Sequence, residues 1–294
     1  MKPLIYCLSL LFVFACNEKS KEPSETQNRP TEQPITTIQQ DTLPVFSEIE
    51  LIKEQEKTKA IKKQKLLAAE DDKTQLQELL ISKSFFKDED QYTLEYRYPF
   101  LNENIDPNYA TFNKYIKENY LDIEKTENEI LEDKELICDT LKINRLKDKR
   151  SIDYKVYDIK NNLISVVLYK ENYYSGMRYS TYLFDCINFS LDKHDFVYFN
   201  DFFEDGSEKE MFNIINKIIK ENIQSGEMYY DCWELSEGDF KAYKNNFVVN
   251  HENVEFYFDD CVICPSYTGT YSIIIPVKEI LHLVKKFNNT PIIS

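Results

Sequence analysis

Cys261-Val-Ile-Cys264 sets two thiols three residues apart, the spacing of a redox dithiol or of half a zinc site. A zinc ribbon needs a second such pair, which the sequence lacks, and His194, His251 and His282 are scattered rather than at ligand spacing. A thioredoxin-like dithiol starts a helix after a strand, whereas Pro265 and Gly269 follow this one, so the pair reads as a loop between strands. His194 lies between Asp192 and Asp195, and His251 precedes Glu252; either could act as a base. Both fall in hairpin turns, where polar residues need no chemical purpose. Asp201-Phe-Phe-Glu-Asp205-Gly206 departs from a calcium loop, with Phe203 in a ligand position and no Glu at the twelfth. With 51 Asp and Glu in 294 residues, neighbouring carboxylates are unavoidable and identify no glycosidase pair. No catalytic residue, metal or cofactor is therefore expected.

The sharper signal is at the amino terminus. Lys2 precedes an apolar run from Leu4 to Ala15, the length of a signal-peptide core and too short to span a bilayer. Val13-Phe14-Ala15-Cys16 resembles a bacterial lipobox, which implies cleavage after Ala15, diacylglyceryl transfer to Cys16 and acylation, as by palmitate, of the new amino terminus. Two or three acyl chains hold a protein stably to a membrane. Residues 1–15 then form the signal peptide. Cys7 leaves with it, and Cys138, Cys186, Cys232, Cys261 and Cys264 remain in a compartment that permits disulfides. Five is odd, so at least one is a free thiol or pairs between molecules. Cys261 or Cys264 is expected to bridge to Cys232 or Cys186.

The elements that must position these residues begin late. Residues 16–45, rich in Glu, Gln, Thr, Ser and Pro, bury too little to order themselves and read as a lipidated, extended tether. Residues 46–85 lack Gly and Pro, and their apolar residues are sparse and drift around a helix; their Glu, Lys, Gln, Leu and Ala suggest an exposed helical stalk. About two hundred residues remain for a folded part at 86–294, as one domain or as subdomains 86–150 and 151–294. Formal net charge is −15, which disfavours nucleic acid and anionic surfaces and favours a cationic partner.

Gln91–Pro99 alternates as a strand ended by proline, and Asp106-Pro107 opens a helix carrying Phe112, Ile116 and Tyr120. A second acidic helix is expected over Ile123–Leu141. Strands follow at Ile152–Ile159, Leu163–Tyr173, Tyr179–Leu191 and Phe196–Tyr198. Ser207-Glu-Lys-Glu210 reads as a capping box opening a helix with Met211, Ile215 and Ile219. Short strands at Asn246–Val249, Val254–Phe258 and Gly269–Pro276 precede a last helix over Val277–Phe287. The order predicts an α+β fold, an antiparallel sheet with helices packed on one face.

Several local motifs, in this order, resemble the domain of unknown function that ends RsiV-type anti-sigma factors and certain peptidoglycan deacetylases. They are Tyr96-Arg-Tyr-Pro99, Phe112-Asn113-Lys-Tyr-Ile116, Asn188-Phe-Ser-Leu-Asp192 and Phe199-Asn-Asp-Phe-Phe203. The set continues with Phe247-Val-Val-Asn, Val254-Glu-Phe-Tyr-Phe258, Ile263-Cys264-Pro265, Gly269 and Ile273-Ile-Ile-Pro276. The resemblance covers about residues 90 to 285. Tyr174-Ser-Gly176-Met-Arg178 replaces a Gly-Gly-Ala-His turn common in that family, and Cys261 and Cys264 stand where Tyr and Ala are usual. No sigma-binding segment and no deacetylase domain accompany it, so neither activity is implied.

RsiV-type domains recognise lysozyme, so the resemblance implies a binding or sensing domain for a cationic protein, with Tyr173, Tyr174, Arg178, Tyr179, Tyr229, Tyr230 and Tyr267 as candidate contacts. The alternative is an enzyme that uses acidic residues on cell-wall glycan. Either would act in the cell envelope, lipid-anchored outside the cytoplasm, on a membrane whose identity the sequence leaves open.

Overall fold

Residues 163–169, Leu-Ile-Ser-Val-Val-Leu-Tyr, form an unbroken run that is apolar but for Ser165, the pattern of a strand covered on both faces rather than one. The computed structural model covers both of its faces. It describes residues 78–136, 147–160, 162–175, 177, 179–287 and 290–291. The signal peptide, the tether and residues 46–77 of the expected stalk lie outside the described residues.

Six strands form the larger sheet in sequence order: β1 (Leu80–Asp88), β2 (Tyr92–Leu101), β3 (Asp148–Lys160), β4 (Leu163–Tyr173), β5 (Thr181–Ser190) and β6 (Asp195–Phe196). All neighbours are antiparallel except β2 and β3, which run parallel. A parallel step needs a crossover. Helices α1 (Ala110–Tyr120) and α2 (Ile123–Leu136) supply it. Asp106 accepts from the Asn108 amide and Pro107 opens the turn before α1, as expected. Phe112, Ile116 and Tyr120 recur along one face of α1 and pack with Leu94, Val166 and Phe189 of the sheet. Asn113 exchanges two hydrogen bonds of 2.8 Å with the backbone of Leu101, fixing α1 to the end of β2.

The other face of the sheet carries Val167, Tyr169, Tyr182 and Phe184, and it is closed by Val248 and Tyr257 of a second sheet. That sheet has three antiparallel strands, β7 (Phe247–Val249), β8 (Asn253–Tyr257) and β9 (Ser272–Pro276). Strand alternation sends Phe247, Val249, Val254, Phe256, Ile273 and Ile275 to its far face. There they meet Met211, Ile215 and Ile219 of α4 (Glu208–Ser225) and the aromatic Phe199, Phe202 and Phe203 around the short α3 (Phe199–Phe202). The α+β reading holds, with one addition: one face takes α1 and α2, and the other takes a second sheet with its own helix.

Several boundaries are corrected. Residues 80–85, assigned to the stalk, belong to β1, whose alternating exposure marks an edge strand. Pro99 does not end β2; it lies past Tyr96, where β2 pairs only with β1 and a missing N–H is tolerated. Ser207 does stand just before α4, as expected, but the capping box does not form: its backbone angles are helical, its side chain makes no capping bond, and its buried hydroxyl finds no partner in the structure. Glu210 turns instead to His282, at 2.8 Å. The final helix, α6, covers only Val277–Ile280; the chain then turns so that Phe203 and Val284 bridge, clamping its end beside α3. Between α4 and β7 runs an unexpected helix, α5 (Glu237–Tyr243), capped by Ser236, whose hydroxyl accepts from the Asp239 amide at 3.0 Å. Among the described residues no helix is long and apolar enough to cross a membrane.

Candidate functional site

The loop after α4 exposes aromatics that a core would normally claim. Gly226 ends α4 in the left-handed conformation that a side chain resists. Met228 then plugs into the core, and the chain emerges as Tyr229-Tyr230-Asp231-Cys232-Trp233. Tyr229, Tyr230 and Trp233 are 54%, 82% and 42% exposed, and Tyr267 of the loop between β8 and β9 is 54% exposed beside them.

Five contacts fasten the two loops. Cys232 and Cys264 form a disulfide. Trp233 donates twice to the facing loop, from its amide to the Ile263 carbonyl and from Nε1 to the Val262 carbonyl, both at 2.9 Å. The Tyr267 hydroxyl donates to Asp231, a bond that holds its pKa up, to about 12. The rings of Tyr229 and Tyr267 meet edge to face at 6.3 Å. Behind the loop, Asn216 of α4 accepts from the Leu235 amide at 2.7 Å and donates to its carbonyl at 3.0 Å. The result is an aromatic cap whose backbone is fixed before anything binds.

The two loops themselves carry only acidic charge, while Lys220 of α4 pairs with Glu234 at 3.0 Å. No Lys or Arg occurs between Glu221 and Phe240 or between Asn245 and Val277, whereas Glu227, Asp231, Glu234, Asp259 and Asp260 do. Exposed Tyr and Trp faces on an acidic background attract guanidinium and ammonium groups, each such contact contributing about 0.5–2 kcal/mol according to its exposure.

A second concavity, of about 300 Å³, lies between α2 and the floor of β3 and β4, where Tyr96, Tyr120, Arg150, Lys170 and Tyr174 meet Glu129 and Asp133. Its cations are already committed. Lys170 pairs with Asp185 at 2.6 Å, Lys125 with Glu129 at 3.8 Å, and Arg150 with Asp148 at 3.2 Å. The Arg150 guanidinium also covers the Tyr174 ring at 4.2 Å and donates to the Tyr173 carbonyl at 2.9 Å. Buried Lys134 approaches Asp148 at 3.2 Å, so the group secures the turn after β4.

The residues singled out from sequence thus separate. Tyr267 joins the cap with Tyr229 and Tyr230; Tyr173 and Tyr174 are half-buried at the Arg150 network; Tyr179 is exposed on the approach to β5. Cys16, Cys138 and Arg178 lie outside the described residues. Of the cysteines offered as bridging candidates, Cys186 and Cys261 are thiols. Cys186 packs against the cluster between the sheets, where burial pushes its pKa up, and Cys261 is exposed at the rim of the cap. Trp233 and Asp231 were not anticipated, although the chain's one tryptophan beside a cysteine was a visible signal.

No histidine acquires a catalytic setting. His194 is in the left-handed conformation and meets Asp106 at 2.8 Å, joining the turn before β6 to the entry of α1. His251 and His282 sit in exposed pairs with Glu252 and Glu210. Among the described residues, no group of three His, Cys, Asp or Glu is arranged to hold a metal ion.

Residues 200–278, which comprise α3 to α5, β7 to β9 and the cap, match the family model described as a protein of unknown function (DUF3298). A domain of unknown function is thus supported over residues 200–278, within the longer stretch for which it was expected. No curated protein matches the chain. Among solved structures, a DUF3298 family member from Bacteroides fragilis is 14% identical, the match covering 70% of this chain and 94% of that one with a TM-score of 0.45. A DUF3298 family protein from Pseudomonas aeruginosa is also 14% identical, over 72% of this chain and 95% of that one, with a TM-score of 0.48.

Proposed function

We propose that this chain is an envelope lipoprotein, anchored through Cys16, that captures a cationic protein on the aromatic cap. The observation that carries the reading is the cap itself: Tyr229, Tyr230, Trp233 and Tyr267 stand exposed on loops without a Lys or Arg, and a disulfide fixes them. Binding hot spots are enriched in Tyr and Trp, and a fixed backbone lowers the ordering cost of association. Acidic surroundings add long-range attraction that salt weakens. The RsiV-type resemblance of the sequence names a partner of this chemistry, a basic protein such as lysozyme.

The test is retention of the protein on immobilised lysozyme at low and at physiological salt. Binding that weakens with salt, and is lost in Trp233→Ala and Tyr230→Ala, supports the reading. No retention at either salt removes it for lysozyme, and retention unaffected by both substitutions removes it for the cap. Incorporation of labelled palmitate that disappears in Cys16→Ser tests the anchor separately.

A further inference from the structure

We propose that Cys261 is the attacking thiol of an internal disulfide exchange that moves Cys264 from Cys232 to Cys261 and so unfastens the cap. Three of the chain's cysteines meet in these two loops, yet only two are bridged: Cys232 with Cys264, while Cys261 is an exposed thiol. Cys261 adopts a left-handed backbone, with φ of 64°, which residues bearing a Cβ rarely take. Cys261 Sγ lies 3.2 Å from Ser266 Oγ, two residues beyond Cys264, which sets the thiol on the segment that carries the target sulfur, itself buried. The one other free thiol among the described residues, Cys186, is packed against the cluster between the sheets.

The step balances without an outside oxidant or reductant. Cys261 loses its proton to solvent and its thiolate attacks Sγ of Cys264. The Sγ–Sγ bond to Cys232 breaks as the Cys261–Cys264 bond forms, and Cys232 departs as a thiolate that takes up a proton. Before and after there is one disulfide and one thiol, but the bond that crossed between the loops now lies within one of them. The loop bearing Tyr229, Tyr230 and Trp233 keeps the Trp233 and Asn216 hydrogen bonds and loses its covalent fastening. The effect on partner capture rests on the binding reading above; the exchange itself does not.

The full chain, purified in detergent without reductant, tests this by thiol alkylation and mass-spectrometric mapping. Alkylation at acidic pH should label Cys261 and leave Cys232 joined to Cys264. After incubation at mildly alkaline pH, label should appear on Cys232 together with a peptide linking Cys261 to Cys264. Because the thiolate attacks, the rate should rise with pH. In Cys261→Ser the Cys232 label should vanish. The proposal is overturned if Cys232 stays unlabelled in the native sequence, if its label persists in Cys261→Ser, or if the new bridge contains Cys138. None of these readouts uses a partner, so failed capture and failed exchange are separate results.

Discussion

Asp259 accepts a hydrogen bond from the backbone amide of Phe184 at 2.8 Å, standing in for a neighbouring strand that β5 lacks at that point. The substitution recurs at every second residue. Asp260 accepts from the Tyr182 amide at 2.8 Å, and Asn246 from the Cys186 amide at 2.6 Å. β6 covers only the last two residues of β5, so three side chains satisfy the rest of its outer edge and join the small sheet to the large one.

Burial pushes the carboxyl of Asp259 above its ordinary value, against the lowering effect of the Phe184 amide and the Tyr243 hydroxyl. A raised folded pKa means that the folded state holds the proton more tightly than the unfolded chain. The contribution therefore favours folding below the ordinary carboxylate range and is lost as pH climbs through the raised value. Urea unfolding of the native sequence and Asp259→Asn across acidic to neutral pH should show the native sequence gaining on the variant as pH falls. The opposite slope would contradict the assignment.

Asn246 also donates to the Phe184 carbonyl at 2.7 Å and the Tyr257 carbonyl at 2.9 Å. Asn246→Ala leaves three backbone groups at the join between the sheets without partners. Each such loss costs about 1 kcal/mol or more, so a destabilisation of about 3 kcal/mol is expected in chemical denaturation. Asn246→Asp keeps the acceptor but sets a carboxylate oxygen against the Phe184 and Tyr257 carbonyls, and should cost at least as much.

The Cys232–Cys264 bond closes a loop with a sequence separation of 32. Chain entropy alone gives such a cross-link about 3–4 kcal/mol. Reduction should lower the denaturant midpoint accordingly, and the fluorescence of Trp233, the one tryptophan, should report the loosening of the cap. An unchanged midpoint would mean that the hydrogen bonds around Trp233 suffice.

Tyr230 is the most exposed aromatic of the cap. Tyr230→Ala should leave the thermal midpoint within experimental scatter while costing capture of a cationic partner 2 kcal/mol or more, about a thirtyfold loss of affinity. Phe247→Ala, in the core beneath, should do the reverse, lowering stability by about 3–5 kcal/mol.

The fold class was legible because side-chain period is a local property. Tyr92, Leu94 and Tyr96 alternate, Phe112 and Ile116 recur at helical spacing, and Leu163–Tyr173 is expected as a strand, though not as one covered on both faces. What misled were local signals overruled by tertiary contacts. Ser207 and Glu210 have the spacing of a cap, yet Glu210 is taken by His282. Leu79, Leu80 and Lys83 carried the helical reading into β1, although a lysine of this kind is what an edge strand carries. The cap was half visible, as tyrosines and cysteines near one another in sequence. Which cysteines pair, and that Trp233 grips the facing loop, depend on a turn geometry that spacing alone does not encode.

Val248 and Tyr257 close the face formed by Val167, Tyr169, Tyr182 and Phe184, yet they follow Phe184 by about sixty residues or more. A chain synthesised from its amino terminus therefore exposes a wide, tyrosine-rich β surface before its lid exists. Slowed elongation or truncation between residues 190 and 247 would prolong that state. Chaperone demand and aggregation during biogenesis should thus concentrate on a segment that is among the best protected in the finished molecule.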